Sequence, residues 1–365
     1  MNSIRFCTTN IFASMISLML AWNARADFLT VDSSAYSTPA VWRFDENSGV
    51  LINKFTFGRF DESIGDCVYG PDNNLYVPVN DLGMLGVVRY DGYTGAFKDV
   101  FVPLGSPGVA SLQFGPDGRL YASGGGKIHR YEVSNGAYLG VFITSGLTLP
   151  TDMRFGSDGR LYVADYYAGI LRNSTLLPGS VSLFVPQGSG GLTNANALTF
   201  DRDGNLYVSS SATKKILRYN GSSGASMGVF ADLLAQGITN AVDLAFGPDG
   251  NLYVCDFAQK RVAKLNGTNG ALIYLSSSLP GPSPYGPFGV VFTPPLPALQ
   301  IARGGSGVVV SWPQSASNFV LEVRGAIGNT NGWATVTNTP TPLGANLAIT
   351  NYTMSDQGFF RLRKQ

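Results

Sequence analysis

Three aspartates share one position of a repeated phrase, and they are the residues best placed to do chemistry in this chain. Asp66, Asp152 and Asp243 each stand six residues before the aspartate of a tight turn. The same position holds Ser111, Ala197 and Gly289 in the intervening units, so acidic residues fall on alternate repeats. Asn196 and Glu62 lie nearby in sequence. Carboxylate and amide oxygens converging in this way are hard ligands suited to Ca²⁺ or Mg²⁺. Without a cation, like charges brought together would raise one another's pKa values and weaken the fold. Two readings follow: a metal or polar-ligand site built from Asp66, Asp152, Asp243 and Asn196, or three aspartates that only accept hydrogen bonds from loop amides where their strands begin.

Composition removes other chemistries. His129 is the single histidine of 365 residues, so a His-rich metal centre is excluded and any Ser-His-Asp or Cys-His set would have to use it. It stands in Lys127-Ile-His-Arg-Tyr131 where a sister repeat has Leu217, an ordinary strand position with a packing or surface role. The net charge is +1 and no Lys/Arg run is longer than Lys214-Lys215, which gives no support for nucleic acid or an anionic membrane as partner. Gly124-Gly125-Gly126 lacks the strand-to-helix setting and the lysine of a phosphate loop and reads as a shortened turn.

The elements that must position these residues come from an internal repeat. The phrase runs Cys67–Val77, Leu112–Ala122, Met153–Val163, Leu198–Val208 and Leu244–Val254, in its fullest form Phe-Gly-Pro-Asp-Gly-Asn-Leu-Tyr-Val. Its tyrosines, Tyr76, Tyr121, Tyr162, Tyr207 and Tyr253, are 45, 41, 45 and 46 residues apart. Each unit is an apolar run, a tight Asp-Gly type turn and a second strand. A third strand follows (Val87–Tyr90, Ile128–Tyr131, Ile216–Tyr219, Val262–Leu265), then a Gly-containing turn and a fourth strand ending near Phe101, Phe142, Phe184, Phe230 or Tyr274. Four antiparallel strands in about 45 residues are the signature of a propeller blade. Asp32, Asp165 and Asp256 close the second strand and are expected to cap the next turn.

The two ends of the repeat complete one another. Residues 28–57 supply strands two to four of a unit (Phe28–Asp32, Val41–Phe44, Val50–Phe55), and Phe288–Thr293 resembles its missing first strand. Joining them predicts an all-β, six-bladed β-propeller over residues 27–293, closed by strands from both termini with no open sheet edge at the seam. A Pro-rich linker, 294–297, leads to residues 298–365, whose alternating runs Val308–Trp312, Phe319–Val323, Trp333–Thr337, Asn346–Thr350 and Phe359–Arg363 predict a small β-sandwich of fibronectin or immunoglobulin type.

Residues 1–26 read as a secretory signal peptide: Arg5, an apolar stretch from Ile11 to Trp22, and the small-x-small pattern Ala24-Arg25-Ala26. Cleavage before Asp27 removes two arginines and no acid, taking the net charge from +1 to −1. No later run is long enough to span a membrane, so a soluble periplasmic or extracellular monomer is expected. Only Cys67 and Cys255 remain, on units that are not neighbours, so no disulfide between them is expected.

The Phe-Gly-Pro-Asp-Gly-x-Leu-Tyr-Val-x-Asp phrase, followed by strands of the Ile216-Leu-Arg-Tyr-Asn-Gly221 kind, resembles NHL-repeat propellers and the wider six-bladed group of senescence-marker/gluconolactonase and strictosidine-synthase-like proteins. The tail, with Val310-Ser-Trp312 and Phe359-Phe-Arg-Leu-Arg363, resembles a C-terminal accessory module of secreted bacterial proteins. Metal-dependent lactonases of the resembling group imply a Glu, Asn and Asp set in the channel. This chain has no glutamate at the corresponding first-blade position, Glu46 lying in an outer hairpin, while Asn196 and Asp243 stand as approximate counterparts of the amide and acid. The leading expectation is therefore a non-catalytic propeller that binds a small molecule, glycan or protein through its channel mouth or face loops. The alternative is a lactonase or hydrolase in which a Ca²⁺-type ion polarises a carbonyl and one carboxylate acts as base.

Overall fold

The computed structural model describes residues 4–6, 27–32, 40–56, 62–63, 65–81, 84–107, 111–173, 177–280, 286–295, 297–304, 307–314, 319–324, 333–352 and 358–364. Residues 7–26, with the expected cleavage pattern, lie outside them, as does the side chain of Asp32. The chain divides into two compact units, Ala26–Pro294 and Pro295–Gln365 together with Met1–Arg25.

The larger unit is a β-propeller. Its first blade contains Val68–Tyr69, Asn74–Asp81, Met84–Asp91 and Phe97–Val102, with Glu62–Ser63 added beside the second strand. The second has Leu112–Phe114, Leu120–Gly124, Lys127–Tyr131 and Tyr138–Ser145. The third has Pro150–Phe155, Leu161–Asp165, Gly169–Asn173 and Gly179–Pro186. Ala195–Phe200, Leu206–Ser210, Lys215–Tyr219 and Ser226–Asp232 make the fourth, and Ala241–Phe246, Leu252–Asp256, Arg261–Leu265 and Leu272–Leu275 the fifth. A split blade has the order Pro287–Phe292, Phe28–Asp32, Ala40–Phe44, Leu51–Lys54, its first strand coming from the far end of the repeat region. The third strand of the third blade, Gly169–Asn173, lies beyond the sequence expectation, its Ile170-Leu-Arg-Asn173 ending in asparagine where the other full units end in Tyr or Leu.

The repeated phrase has a packing reason. In four of the five full blades the turn aspartate accepts a backbone N–H and also the hydroxyl of the tyrosine four residues on, as Asp117 does from Arg119 N (3.1 Å) and Tyr121 (3.0 Å). That tyrosine is wedged between blades. Tyr121 meets Phe142 of its own last strand edge-on at 4.9 Å and Phe155 of the next blade's first strand at 5.0 Å. Tyr76, Tyr162 and Tyr207 repeat the arrangement with Phe101 and Phe114, Phe184 and Phe200, and Phe230 and Phe246. Each such pair is worth about 0.5–1.5 kcal/mol beyond the area it buries. A Cβ on Gly115 would sit 2.5 Å from the Tyr121 ring, which is why glycine precedes the turn. In the fourth blade Asp201 replaces that glycine, and it, rather than Asp203, takes the Tyr207 hydroxyl at 3.1 Å.

The smaller unit holds two antiparallel sheets, one with Gln300–Gly304, Gly307–Pro313, Asn346–Tyr352 and Thr341–Leu343, the other with Ile4–Phe6, Gly358–Lys364, Phe319–Arg324 and Ala334–Thr335. Trp312 is fully buried, and Glu322 binds Arg361 and Arg363. Gln300–Gly304 and Thr341–Leu343 are strands beyond the sequence expectation.

Candidate functional site

The first strands start at one end of the blades, and their starts carry the aspartates. Pairing in the third blade sets the geometry: Pro150 lies opposite Asp165 and Asp152 opposite Ala164, so the loop after Asp165 rises from the same end. First strands of successive blades are linked through these side chains. Asp66 Oδ1 accepts Leu112 N at 3.2 Å, Asp152 Oδ2 accepts Leu198 N at 2.9 Å, and Asp243 Oδ2 accepts Val290 N at 2.8 Å. Each aspartate thus reaches to a strand amide of the blade that follows it, where the sequence suggested loop amides at the start of its own strand.

The structure also brings the three carboxylates together, one oxygen of each lying within 4.8 Å of the others. A residue that sequence reasoning missed stands among them. Arg154 Nη1 binds Asp152 Oδ1 at 2.6 Å and Asp66 Oδ2 at 3.4 Å, and Nη2 binds Asp243 Oδ1 at 2.7 Å. Nη1 further donates to the Met153 carbonyl at 2.9 Å. One guanidinium therefore ties together groups that bridge three pairs of blades. The signal was present in the phrase: the Arg154 position is Val68, Gln113, Thr199 and Ala245 in the other full repeats, so a lone charge there is a departure.

Charge is unbalanced in this cluster, with three carboxylates to one guanidinium. Burial pushes the Asp66 carboxyl up to about 6 and that of Asp152 to about 8, against the pull of Arg154, and it raises Asp243 too. Burial opposes the charge of Arg154, but Asp152, Asp243 and Asp66 more than offset it and its pKa rises. Ser111, at the equivalent position of the second blade, has a buried Oγ with no hydrogen-bond partner among the described residues. Asn196 is used elsewhere: its Nδ2 donates to the Ala241 carbonyl at 3.0 Å, joining the fourth and fifth blades.

The remaining candidates take structural places. Asp165 accepts Thr148, Leu149, Tyr167 and Ala168 amides, and Asp256 accepts those of Thr239 and Asn240. His129 is buried, its Nδ1 3.0 Å from the Tyr138 hydroxyl and Nε2 3.2 Å from the Gly124 carbonyl. The carbonyl requires the proton on Nε2, so Nδ1 accepts from Tyr138, and burial lowers the pKa of the ring. Cys67 and Cys255 are buried free thiols. Gly125 and Gly126 form a turn with positive φ. On the loop after Asp165, Tyr167 is 62% exposed and the Tyr166 carbonyl is clamped by Gln187 Nε2 (2.8 Å) and Asn194 Nδ2 (3.1 Å).

Fold and site define an all-β propeller with an ion-paired cluster at the starts of its first strands. No protein-family model matches the chain, and no curated protein matches it. Solved structures do. A chain of the nidogen/laminin complex is similar at 16% identity and a TM-score of 0.58, over 73% of this chain and 98% of that one. A protein of unknown function from Bacteroides caccae is similar at 10% identity and 0.54, over 73% and 99%. Virginiamycin B lyase from Staphylococcus aureus gives 14% identity and 0.46, over 82% and 94%. Likeness at such identity establishes the fold alone. Among the described residues no helix is long and apolar enough to cross a membrane, a statement that does not bear on β-barrels.

Proposed function

We propose that this chain is an exported, six-bladed propeller that binds a ligand or partner through the loops around its channel mouth and catalyses no reaction. The observation that carries this reading is Arg154. The carboxylates able to serve as base or metal ligand already accept the guanidinium and the amides of neighbouring blades. Recognition then falls to the surrounding loops, where the clamped Tyr166-Tyr167 edge offers an exposed ring on a fixed backbone. Such amphipathic rings suit glycan or protein surfaces. Export places the protein in the periplasm or outside the cell, and the small C-terminal unit serves as an immunoglobulin-like accessory module.

The second reading is a Ca²⁺-type site used by a lactonase, favoured by the convergence of Asp66, Asp152 and Asp243. It requires Arg154 to leave the cluster and a further ligand to come from Ser111 or another side chain, since Asn196 faces Ala241 as placed. Thermal melting in Ca²⁺ against EDTA separates the two, because an ion that binds only the folded state must stabilise it. The binding reading expects superimposable melts and no turnover on a lactone and ester panel. A calcium-dependent rise in Tm, with hydrolysis that Asp243→Asn abolishes, would replace it with the lactonase.

A further inference from the structure

The seam between the fifth blade and the split blade contains a buried carboxylate that, among the described residues, has no cation of its own. In the first, fourth and fifth blades the turn between the third and fourth strands packs on the turn between the first and second. A Cβ on Gly92, Gly221 or Gly267 would strike the backbone of Asn73, Gly204 or Gly250. The split blade has no turn between its first and second strands, because these come from opposite ends of the repeat region. Glu46 holds the position of those three glycines, and the missing turn admits its side chain.

Glu46 is 7% exposed, and its Oε1 has no hydrogen-bond partner among the described residues. The charged groups around it face other partners. Lys264 Nζ binds Asp249 at 2.7 Å and the Glu46 carbonyl at 2.9 Å. Arg43 binds Asp27 at 2.5 Å. Asp45 accepts the amides of Asn47 and Ser48. Tyr274 and Tyr253 donate to the Glu46 carbonyl, not to its carboxylate, at 2.7 and 3.4 Å. Burial and the negative charges of Asp249, Asp27 and Asp45 raise the pKa of Glu46, with Lys264 acting the other way.

Asp27, the residue after the expected cleavage site, lies beside this group. Phe28 pairs with Phe44, so one further step of the register sets Asp27 opposite Asp45, next to Glu46. The Asp27 carbonyl is fixed by Thr293 N at 2.9 Å. We propose that cleavage after Ala26 supplies the missing cation: the new α-ammonium of Asp27 pairs with the Glu46 carboxylate and locks the seam at which the ring closes. The proposal rests on the export reading for its cleavage site. An endopeptidase hydrolyses the Ala26–Asp27 bond with one water, leaving a carboxylate on Ala26 and an amine on Asp27 that takes a proton below its usual pKa of about 7.7–8.0. In the uncleaved chain the same nitrogen is a neutral amide.

The test compares chains 27–365 whose first residue is a free Asp27, released from a fusion, with the same chains N-acetylated, each as wild type and Glu46→Gln. The free-amine wild type is expected to melt about 2–4 °C above the acetylated form, and the gap should vanish in Glu46→Gln. Titration of the ¹³C-dimethylated α-amine by NMR should give a higher pKa in wild type than in Glu46→Gln. If that variant does not fold, the wild-type amine decides alone, by titrating above or at its ordinary value. Equal melting of free and acetylated wild type, an unchanged gap in Glu46→Gln, or an ordinary amine pKa would overturn the pairing. The mass of the exported chain is read separately. An N-terminus other than Asp27 overturns the export reading at that bond and with it the maturation step, whereas a failed melt comparison overturns only the pairing.

Discussion

Arg154 is the residue on which the candidate site turns. Three buried carboxylates depend on one guanidinium, so removing it leaves charges that burial penalises heavily. Arg154→Met should lose about 3–5 kcal/mol at neutral pH, measured by urea denaturation. The loss should shrink toward pH 5, where Asp66 and Asp152 hold their protons. Asp152 gives the wild type its own pH dependence. Its carboxyl keeps a proton to about pH 8 in the folded chain and to about 3.9 when unfolded, so the folded state binds more protons between those values. Stability from this group is complete below about pH 4 and is lost as pH rises toward 8. The urea midpoint should therefore fall from pH 5 to 8.5 in wild type, and Asp152→Asn, which cannot ionise, should flatten that part of the slope. A slope unchanged in the variant would show that Asp152 is ionised throughout. The aspartates themselves were legible because the repeat aligns them. Their counter-ion was hidden because it belongs to one repeat only, two residues past Asp152, and nothing in a single strand says that a side chain crosses to two other blades.

At the scale of the strand and turn, the glycines that close each third-to-fourth turn act between blades. Gly95 has φ +72° and its Cβ would fall 1.8 Å from the Phe55 carbonyl of the preceding blade. Gly136 meets Phe101, Gly224 meets Phe184, and Gly270 meets Phe230 in the same way. The third blade departs from this pattern. There the outer strand of the second blade pairs directly with that of the third, Ile143 opposite Gly179 and Ser145 opposite Ser180. Gly118, with φ +75° and open space at its Cβ, is the control. Gly118→Ala should cost about 1–2 kcal/mol from the left-handed backbone alone. Gly95→Ala should cost ~3 kcal/mol or more, because the turn must also move off its neighbour. Equal costs in chemical denaturation would mean that the turn moves freely and that the contact does not hold the blades in place.

For the propeller as a whole, stability depends on a seam made by the two ends of the repeat region. Pro287–Phe292 pairs with Phe28–Asp32, Thr30 Oγ1 donates to the Gly289 carbonyl at 2.8 Å, and Val290 N donates to Asp243. Gly289 lies so close to Asp66 that a Cβ would come within 2.4 Å of the aspartate's own, bringing the split blade against the first. Val290→Pro removes the donor to Asp243 and disrupts the innermost strand. It should lower Tm steeply and expose apolar surface, read as increased binding of a hydrophobic dye. A melt within a degree or two of wild type would show that the ring does not need this seam.

The sequence by itself determined the blade. The turn chemistry of Asp-Gly, the alternation of apolar residues and the 41–46 residue spacing of the tyrosines are local properties repeated many times, so each repeat confirms the others. It also determined that the missing strand at one end and the extra strand at the other belong together. Only the tertiary structure brought Arg154 among Asp66, Asp152 and Asp243, since two of those contacts join residues 88 and 89 positions apart. It likewise decided that Asn196 bonds a neighbouring strand and that Glu46, an outer-hairpin residue in sequence, is buried beside the first residue of the propeller. Local patterning sets backbone paths, but electrostatic partners in a closed ring are chosen by which side chains the closure brings into the same low-dielectric space.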